Sequence, residues 1–535
     1  MHQDVDVIVV GAGPVGLTAA LLLAEKDTRV ALVDPLSAPS DLPRAISLAD
    51  ESFRILQGLG LDEALKAQTY LDTGARYFGL KGRLLAESKP APSRSGHPAK
   101  SQFDQPVLEQ LLWDRAVEHP MIQMLSAHRV TAIAQDASGA GVTVAPEDGS
   151  ETFQLRGAWL LAADGGRSFA REELGVELEG STQEERWVVI DLLDVPGERE
   201  PFAEFHGNGD RPLVLVPGLD GRLRLEYMML PEDDADEMVR PERIREMVLP
   251  FHPEARSEDI RRAVVYVAHR RLASTYRVGR CFLVGDAAHL MPPFSGQGLN
   301  AGLRDAANIV WKLQAVLDGV GTDRLLDTYE SERRTHAKKM IRVSHLTGSV
   351  VMARGVAAVA RDVLFRAARL LPPVYAYLSG MRFITPPRHV DGAVVEPTAE
   401  VAPELRAMVG APLSQPFAEA PDGGRSLLDD HLGNGWSLVV LGADDELSLA
   451  PFWASATVRR LVPATARATS PDQLVDLTGA LTGALADPAV RLERPHVLVV
   501  RPDRYVAAVF TPESEDVAIK GLRPYVDLAH TLENR

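Results

Sequence analysis

One short run constrains the fold of this chain more than any other: Asp6-Val7-Ile8-Val9-Val10-Gly11-Ala12-Gly13-Pro14-Val15-Gly16-Leu17. Val7 to Val10 are apolar and mostly β-branched, which predicts a buried parallel strand. Thr18 to Glu25 are rich in Ala and Leu and predict a helix. Between them lies G-x-G-x-x-G. Gly11 permits the tight turn, Gly13 has no side chain to obstruct a pyrophosphate, and Gly16 lets the helix pack closely on the strand. The helix N-terminus offers unpaired N–H groups and about half a positive charge to phosphates. A second apolar strand, Val30 to Val33, ends in Asp34, an acid placed to bond a ribose hydroxyl. An acid rather than an Arg there favours FAD or NAD over NADP. The glycine pattern alone also fits a Gly-rich turn before a core helix. Strand, helix and Asp34 together point to a dinucleotide site.

At 535 residues the chain is long enough for two or three domains with substantial cores. Its net charge of -17 argues against nucleic acid or an anionic membrane as partner, while local Arg clusters leave an anionic small substrate open. The one cysteine, Cys281, excludes an intrachain disulfide, a thiolate zinc cluster and a CxxC centre, and favours a cytoplasmic compartment. The N-terminus enters a strand without a basic n-region, so no signal peptide is expected. No apolar run is long enough for a membrane span.

Further along, Pro35 to Pro43 predict a loop, Asp50 through Leu65 a helix, and Gly74 to Leu85 a hairpin. Lys89 to Lys100 are loop-like, Val107 to Val117 helical, and Glu147-Asp148-Gly149 turns between Val144 and Thr152. Ala158 to Ala163 form a buried strand running into Asp164-Gly165-Gly166-Arg167-Ser168. From Trp187 to Pro231 short strands alternate with turns, as in an inserted antiparallel substrate domain. Cys281 to Val284 are again a strand, ending in Gly285-Asp286-Ala287-Ala288-His289. A helix is expected from Leu299 to about Val316, a charged helix with an exposed face from Asp323 to Leu346, and an amphipathic helix used for interdomain packing from Val350 to Leu371. Pro386 to Pro397 read as a linker. In the tail, Ser437 to Leu441, His496 to Val500 and Tyr505 to Phe510 alternate with helical pieces near Pro471 to Ala484, a small α/β domain.

Asp164-Gly165 by itself is an ordinary exit from a strand. The run Gly285-Asp286-Ala287-Ala288-His289 followed by Pro292-Pro293-Phe294-Ser295-Gly296-Gln297-Gly298-Leu299-Asn300 is more specific. A strand ends in Gly-Asp and a Gly-punctuated loop opens a helix. Asp286 can accept hydrogen bonds from a ribityl chain, and the N–H groups of Gly298 to Asn300 can face a flavin edge that gains negative charge on reduction.

The ordered set GAGPVG, ADGGRS and GDAAHLMPPFSGQGLN resembles the single-component FAD-dependent aromatic hydroxylases, the group A flavoprotein monooxygenases, over most of the chain. Within them the likeness is to 3-(3-hydroxyphenyl)propionate hydroxylase-like proteins, carried by Pro43-Arg44-Ala45-Ile46, by Leu326-Asp327-Thr328-Tyr329-Glu330 with Arg333-Arg334, and by Val500-Arg501-Pro502-Asp503-Arg504-Tyr505-Val506-Ala507-Ala508. The resemblance implies an α/β fold: a discontinuous Rossmann-type FAD-binding domain (1–74, 101–180 and 276–390), an inserted, mainly antiparallel β-sheet substrate domain (75–100 and 181–275), and a C-terminal thioredoxin-like α/β domain (391–535). With no cysteine beyond Cys281, that last domain is expected to serve packing or oligomerisation.

The resemblance further implies FAD as cofactor, NADH or NADPH and O2 as co-substrates, and a small aromatic substrate. Oxygen transfer to a phenolic ring would pass through a flavin C4a-hydroperoxide. A homodimer is an admissible assembly. Gly11, Gly13, Pro14, Val15, Gly16 and Asp34 would hold the ADP half, with Val130 beside them. Arg44 and Gln105 would contact the pyrophosphate and ribityl region, Asp164 the nicotinamide or flavin path, and Gly285 and Asp286 the ribityl chain. Pro293 would border the flavin edge where oxygen adds, and Gly296, Gly298, Leu299 and Asn300 would hold the ring. The resemblance implies an aromatic or bulky residue where this loop has Pro293-Phe294-Ser295, a departure that points to a different pocket wall. No base for the phenol stands out. His206, Tyr227 and His269 are candidates against a structural reading of each, and His289 reads as a hydrogen-bonding support. Arg222, Arg224, Arg270 and Arg271 are candidates to pair with a substrate carboxylate, against surface solvation. Two other activities fit the same fold: a tailoring oxygenase on a polycyclic aromatic or ketone, and a flavin-dependent reductase without oxygen insertion.

Overall fold

The apolar run at the N-terminus becomes the strand His2–Val10 at the centre of an eight-stranded sheet in the computed structural model, which describes residues 2–89, 93–293, 296–379, 387–442, 447–482 and 494–529. Its neighbours are Phe153–Ala162 on one side and Val30–Asp34 on the other, both parallel to it. Cys281–Leu283 adds beyond Phe153–Ala162 and Ile122–Ser126 beyond Val30–Asp34, also in parallel. Val7, Ile8, Val9, Leu32, Leu160 and Leu161 are fully buried, as expected where helices cover both faces of a parallel sheet. The antiparallel hairpin His128–Asp136 and Gly139–Pro146 joins the first half of Phe153–Ala162.

A second eight-stranded sheet is almost wholly antiparallel. Its middle is the long strand Leu178–Leu192, paired with Ile260–Ala273 and Leu223–Met228. Leu213–Pro217, Phe202–His206 and the hairpin Gly74–Phe78 and Leu84–Ser88 continue it, with one parallel pairing between Phe202–His206 and Gly74–Phe78. Val188, Ile190, Leu215, Leu223 and Leu225 point to one face and form a core with Ile244, Met247 and Val248 of the helix Pro241–Val248. The alternate residues face the other way.

Both sheets lie in one unit, Met1–Pro92 with Pro98–Ala306 and Ala337–Thr385. The other unit, Ser93–His97 with Ala307–His336 and Pro386–Arg535, holds a seven-stranded sheet. Its neighbouring strands Ser437–Leu441 and His496–Val500 are buried along their whole length. Leu438 and Val440 enter one core with Trp311 and Trp453, and Val439 and Leu441 enter another with Leu474 and Leu498.

Three expectations need correction. Asp50 through Leu65 is two helices, Asp50–Gln57 and Asp62–Lys66, separated at Gly60, whose φ of +68° is open to glycine. Within Pro471 to Ala484 the chain forms the strand Gln473–Asp476, because Leu474 and Val475 pair in parallel with Leu461 and Val462 in the sheet; residues 483 and 484 lie outside the described residues. The charged helix Asp323–Val351 has the expected exposed face, at Arg324, Asp327, Lys338, Lys339 and Arg342, and also buries Glu332 and Arg333 on its other side. The helix Gly355–Arg369 inverts the expected polarity. Arg361 and Asp362 are buried, held by the Gly207 carbonyl and the Leu80 N–H, while Val356, Val359, Val363 and Leu364 are exposed. No single helix among the described residues is long and apolar enough to cross a membrane.

Candidate active site

Strand register assembles the site. Val10 stands opposite Ala162 and Val33, and Ala162 stands opposite Leu283. The segments that follow, Gly11 to Gly16, Asp34, Ala163-Asp164 and Gly285-Asp286, therefore leave the sheet along one carboxyl edge, the side on which open α/β sheets bind ligands. Three motifs separated by more than a hundred residues meet there because their strands are neighbours.

Each glycine of the first turn has a distinct constraint. Gly11 has φ +101°, and a Cβ on it would lie 2.5 Å from the Ala163 carbonyl oxygen. A Cβ on Gly16 would collide with the Gly11 carbonyl oxygen. Around Gly13 a Cβ would meet nothing within 4 Å. Gly13 is the N-cap of the helix Pro14–Ala24, whose first turn has no side-chain cap. This open cradle, bare N–H groups at a helix N-terminus, suits a pyrophosphate. Asp34 closes the turn by accepting from the Ala12 N–H at 2.6 Å and the Leu36 N–H at 2.8 Å.

A cavity of about 790 Å³ runs along this edge, in the upper part of the roughly 300–1,000 Å³ range of cofactor and ligand sites. Gly11, Gly13, Pro14, Val15, Asp34, Arg44, Gln105, Val130, Asp164, Asp286, Pro293, Gly296, Gly298 and Leu299 all line it. The donor set therefore fits an extended dinucleotide. Gln105 holds the Arg44 loop: its Oε1 accepts from the Ala45 N–H at 2.6 Å, and its Nε2 donates to Glu109 at 2.5 Å. Asp286 projects into the cavity and is reached by solvent there. Burial by the surrounding protein raises its pKa above the ordinary carboxylate value, opposed by His289 and Arg44. Asp286→Ala is expected to weaken FAD by about 1–3 kcal/mol, one charge-assisted hydrogen bond, in a fluorescence titration of apoprotein; unchanged affinity would count against a ribityl contact.

Several residues sit differently from their expected roles. Both Asp164 carboxylate oxygens are engaged locally, accepting from the Ser168 hydroxyl and, at 2.9 Å, from the Ala170 N–H. Asn300 lines no part of the cavity with its side chain. Its Oδ1 accepts from the Ala49 N–H at 2.8 Å and the Ser52 hydroxyl at 2.7 Å, and its Nδ2 donates to the Ser47 and Gly296 carbonyls. The N–H groups of Gly298 to Asn300 precede the first bond of the helix Gly298–Leu317, from the Ala301 N–H to the Gln297 carbonyl. Gly16 and Gly285 are not among the residues that line the cavity. His289 is fully buried with Asp305 at 2.6 Å, and the same carboxylate accepts from the Gly285 N–H at 3.2 Å. That pair holds the Gly-Asp turn from behind. Phe294 and Ser295 lie outside the described residues.

The far wall is the second sheet, through Trp187, Val189, Ala203, Phe205, Val214 and Val216. Alternation settles two candidates for the base. On Phe202–His206 the cavity takes Ala203 and Phe205, so His206 faces away, bonded to Glu204 at 2.9 Å and stacked on Phe78. On Leu223–Met228 the cavity takes Arg224 and Glu226, so Tyr227 faces the opposite core and donates to the Met247 carbonyl at 2.8 Å. Burial pushes the Tyr227 phenol up to about 12. Neither reaches a ring held in the cavity. His269 lines it, near Thr182 Oγ1 at 3.1 Å. Of the four arginines, Arg224 alone lines the cavity; it is tied to Asp191 at 2.6 Å and to the Pro43 and Arg44 carbonyls. Arg222 pairs with Asp104, and Arg270 and Arg271 donate to Ser181 and Thr182. Glu226 and Arg262 are cavity residues that the sequence reading missed. The signal was the charged alternate position of Leu223-Arg224-Leu225-Glu226, which by pattern alone looks like a solvent face.

The sequence matches the family described as FAD binding domain over residues 4–344 and the family described as HcaD C-terminal domain over residues 410–524. It is 36% identical over 517 residues, 94% of this chain and 90% of the relative, to a 3-(3-hydroxy-phenyl)propionate/3-hydroxycinnamic acid hydroxylase of Mycolicibacterium smegmatis. A protein of the same description from Comamonas testosteroni is 32% identical over 568 residues, covering 96% of this chain and 95% of its own. Among solved structures, the flavin-dependent monooxygenase PieE in complex with FAD and substrate has the same fold, with a TM-score of 0.79 at 22% identity over 98% of this chain and 99% of that one. The fold is that of a flavoprotein monooxygenase. The chain belongs to the FAD-dependent aromatic hydroxylase family.

Proposed function

We propose that this chain hydroxylates a phenolic acid of the 3-(3-hydroxyphenyl)propionate and 3-hydroxycinnamate class, with NAD(P)H as electron donor and O2 as oxidant. The observation that carries this reading is one continuous cavity, from the open cradle at Gly13 to the apolar and aromatic wall of the second sheet. Relatives of that description, similar along nearly the whole chain, support the substrate class. FAD, when bound, supplies the link between NAD(P)H oxidation and oxygen activation.

The chain's own residues bind and orient. Gly13 leaves the first turn open for the pyrophosphate, Gly11 and Gly16 let strand, turn and helix pack closely enough to form it, and Asp34 fixes that turn and meets the ribose. Arg44, presented by Gln105, supplies positive charge, and Asp286 accepts from the ribityl hydroxyls. The helix start at Gly298 to Asn300 faces a ring edge that gains negative charge. Pro293 borders the reacting edge. Trp187, Val189, Phe205 and Val214 exclude water from the aromatic substrate.

We also read residues 391–535 as a thioredoxin-like domain. Supporting this, Ser437–Leu441 lies parallel to Thr457–Pro463 and antiparallel to His496–Val500, which pairs antiparallel with Val506–Phe510 before the helix Glu515–Leu522. It contains no cysteine, so thiol exchange is not its task. A cytoplasmic location fits the lone Cys281, buried and with its thiol pushed up to about 12 by burial.

A panel of phenols and hydroxyphenyl acids tests the proposal, following NAD(P)H oxidation and O2 uptake with product analysis. The expected result is substrate-stimulated NAD(P)H oxidation coupled to a dihydroxylated product from the hydroxyphenylpropionate arm. Anaerobic reduction of a carbon–carbon double bond with no hydroxylated product would favour a reductase instead.

A further inference from the structure

We propose that Glu226 is a catalytic residue of the hydroxylation, the group that accepts the phenolic hydroxyl of the substrate and holds its proton. This rests on the reading of the substrate as a phenol. In the strand Leu223–Met228, Leu223 and Leu225 enter the core behind the sheet, while Arg224 and Glu226 face the cavity. The two charges differ in what they already do. Arg224 is committed to Asp191 and to the Pro43 and Arg44 carbonyls. The Glu226 carboxylate, by contrast, has no hydrogen bond or ion pair among the described residues and feels its charged neighbours only at longer range.

Its neighbours make that isolation costly. Glu226 stands opposite Val189 on one flanking strand and Val214 on the other, and both valines line the cavity. A carboxylate held between two valines without a hydrogen-bond donor pays for desolvation unless a ligand satisfies it. A ring lying against Val189 and Val214 brings its hydroxyl, an O–H donor, to that carboxylate. Charged and titratable groups around it come from every side. Arg224 lies on its own strand, Asp191 on Leu178–Leu192, Arg262 and Tyr266 on Ile260–Ala273, and Arg44 and Asp286 in the loops along the cavity. Burial raises the Glu226 carboxyl above its ordinary value, with Asp191 adding to the shift and Arg224 and Arg262 opposing it, which brings it closer to a phenol as a proton acceptor.

The step balances within the family's reaction. The phenol O–H bond breaks and a carboxyl O–H bond forms on Glu226, leaving the electron pair on the phenolate oxygen and enriching the ring at its ortho and para carbons. One oxygen atom from O2 joins such a carbon, with FAD and NAD(P)H supplying the electrons and the second oxygen atom leaving as water. The ring then expels its displaced hydrogen as a proton to solvent and rearomatises, and Glu226 returns its proton to the first oxygen.

Two variants test this. Glu226→Gln keeps size and acceptor but not the base. With 3-(3-hydroxyphenyl)propionate, kcat is expected to fall about a hundredfold or more at unchanged FAD content, with the loss shrinking as pH rises toward the pKa of the free phenol. A wild-type kcat and pH profile, or a loss of equal size at every pH, overturns the proposal while leaving the hydroxylase reading in place. The second measurement needs no turnover. Binding of 3-(3-hydroxyphenyl)propionate and of its phenol methyl ether is followed by perturbation of the FAD spectrum. The wild type is expected to prefer the phenol by about tenfold or more, and Glu226→Leu to lose that preference. Equal affinities in the wild type, or a preference kept in Glu226→Leu, overturn it. A wild type that shows the Glu226-dependent preference but hydroxylates no phenol overturns the hydroxylase reading and supports the Glu226 contact.

Discussion

Gly13→Val is expected to give a folded protein that purifies without flavin. A Cβ at Gly13 meets no protein atom within 4 Å, so the strand, turn and helix have room for it. The space it enters is the cradle at the uncapped start of Pro14–Ala24, where a pyrophosphate must approach the backbone closely. The loss is expected to be at least a thousandfold in FAD affinity, about 4 kcal/mol, with an unchanged far-ultraviolet circular dichroism spectrum. The neighbouring Gly16→Ala is the contrasting control. Its Cβ collides with the Gly11 carbonyl oxygen, so it is expected to damage the fold along with flavin binding. A yellow, fully loaded Gly13→Val protein would remove the phosphates from this turn.

The largest stability effect is expected in the second unit, at Glu332. Its carboxylate accepts two bonds from Arg501, at 2.9 and 2.8 Å, one from Lys312 at 2.9 Å and one from Asn308 at 2.7 Å. Arg501 also bonds Asp503 at 2.9 and 2.6 Å. The side chains of Glu332, Lys312 and Arg501 are 0% exposed. Two cations and two anions therefore neutralise each other out of contact with water. Glu332→Ala leaves Lys312 and Arg501 sharing Asp503, and removing one partner of a buried pair costs about 3–5 kcal/mol, read as a lower urea midpoint of tryptophan fluorescence. A midpoint within experimental scatter of wild type would show the network to be dispensable.

The same cluster gives a pH dependence. His389 sits 3.8 Å from Glu332, and burial, with Arg501, drives its pKa from the ordinary 6.5 down to about 3, against the pull of Glu332. Its folded value is depressed, so the unfolded chain binds the extra proton between these limits. The His389 contribution is full above pH 6.5 and drains away as pH falls toward 3, at up to about 1.4 kcal/mol per pH unit.

These two regions were not equally legible. The dinucleotide edge is local in sequence: each motif sits at the end of its own apolar strand, and only the strand order had to be supplied by folding. Asp286 and Gly13 could be singled out because their residue types are demanded by the chemistry next to them. The Arg501-Pro502-Asp503 run carried family likeness but no meaning by itself, because its partner Glu332 is 169 positions away on a helix whose charges read as solvated. Glu226 and Arg262 were hidden by the two-residue period of a strand, which separates the faces of a sheet but does not say which one is covered. That same period, once the sheet was placed, turned His206 and Tyr227 away from the cavity. The helix Gly355–Arg369 resisted reading because tertiary contacts of Arg361 and Asp362 with the Gly207 carbonyl and the Leu80 N–H decide which side is buried.

The central claim is that the cavity between the glycine turn and the second sheet puts one atom of molecular oxygen onto a phenol. Turnover of 3-(3-hydroxyphenyl)propionate with NAD(P)H under oxygen-18 gas, followed by mass spectrometry, tests it most directly. One heavy oxygen atom in each molecule of product is predicted. Unlabelled product, or consumption of NAD(P)H accounted for entirely by hydrogen peroxide, would contradict it.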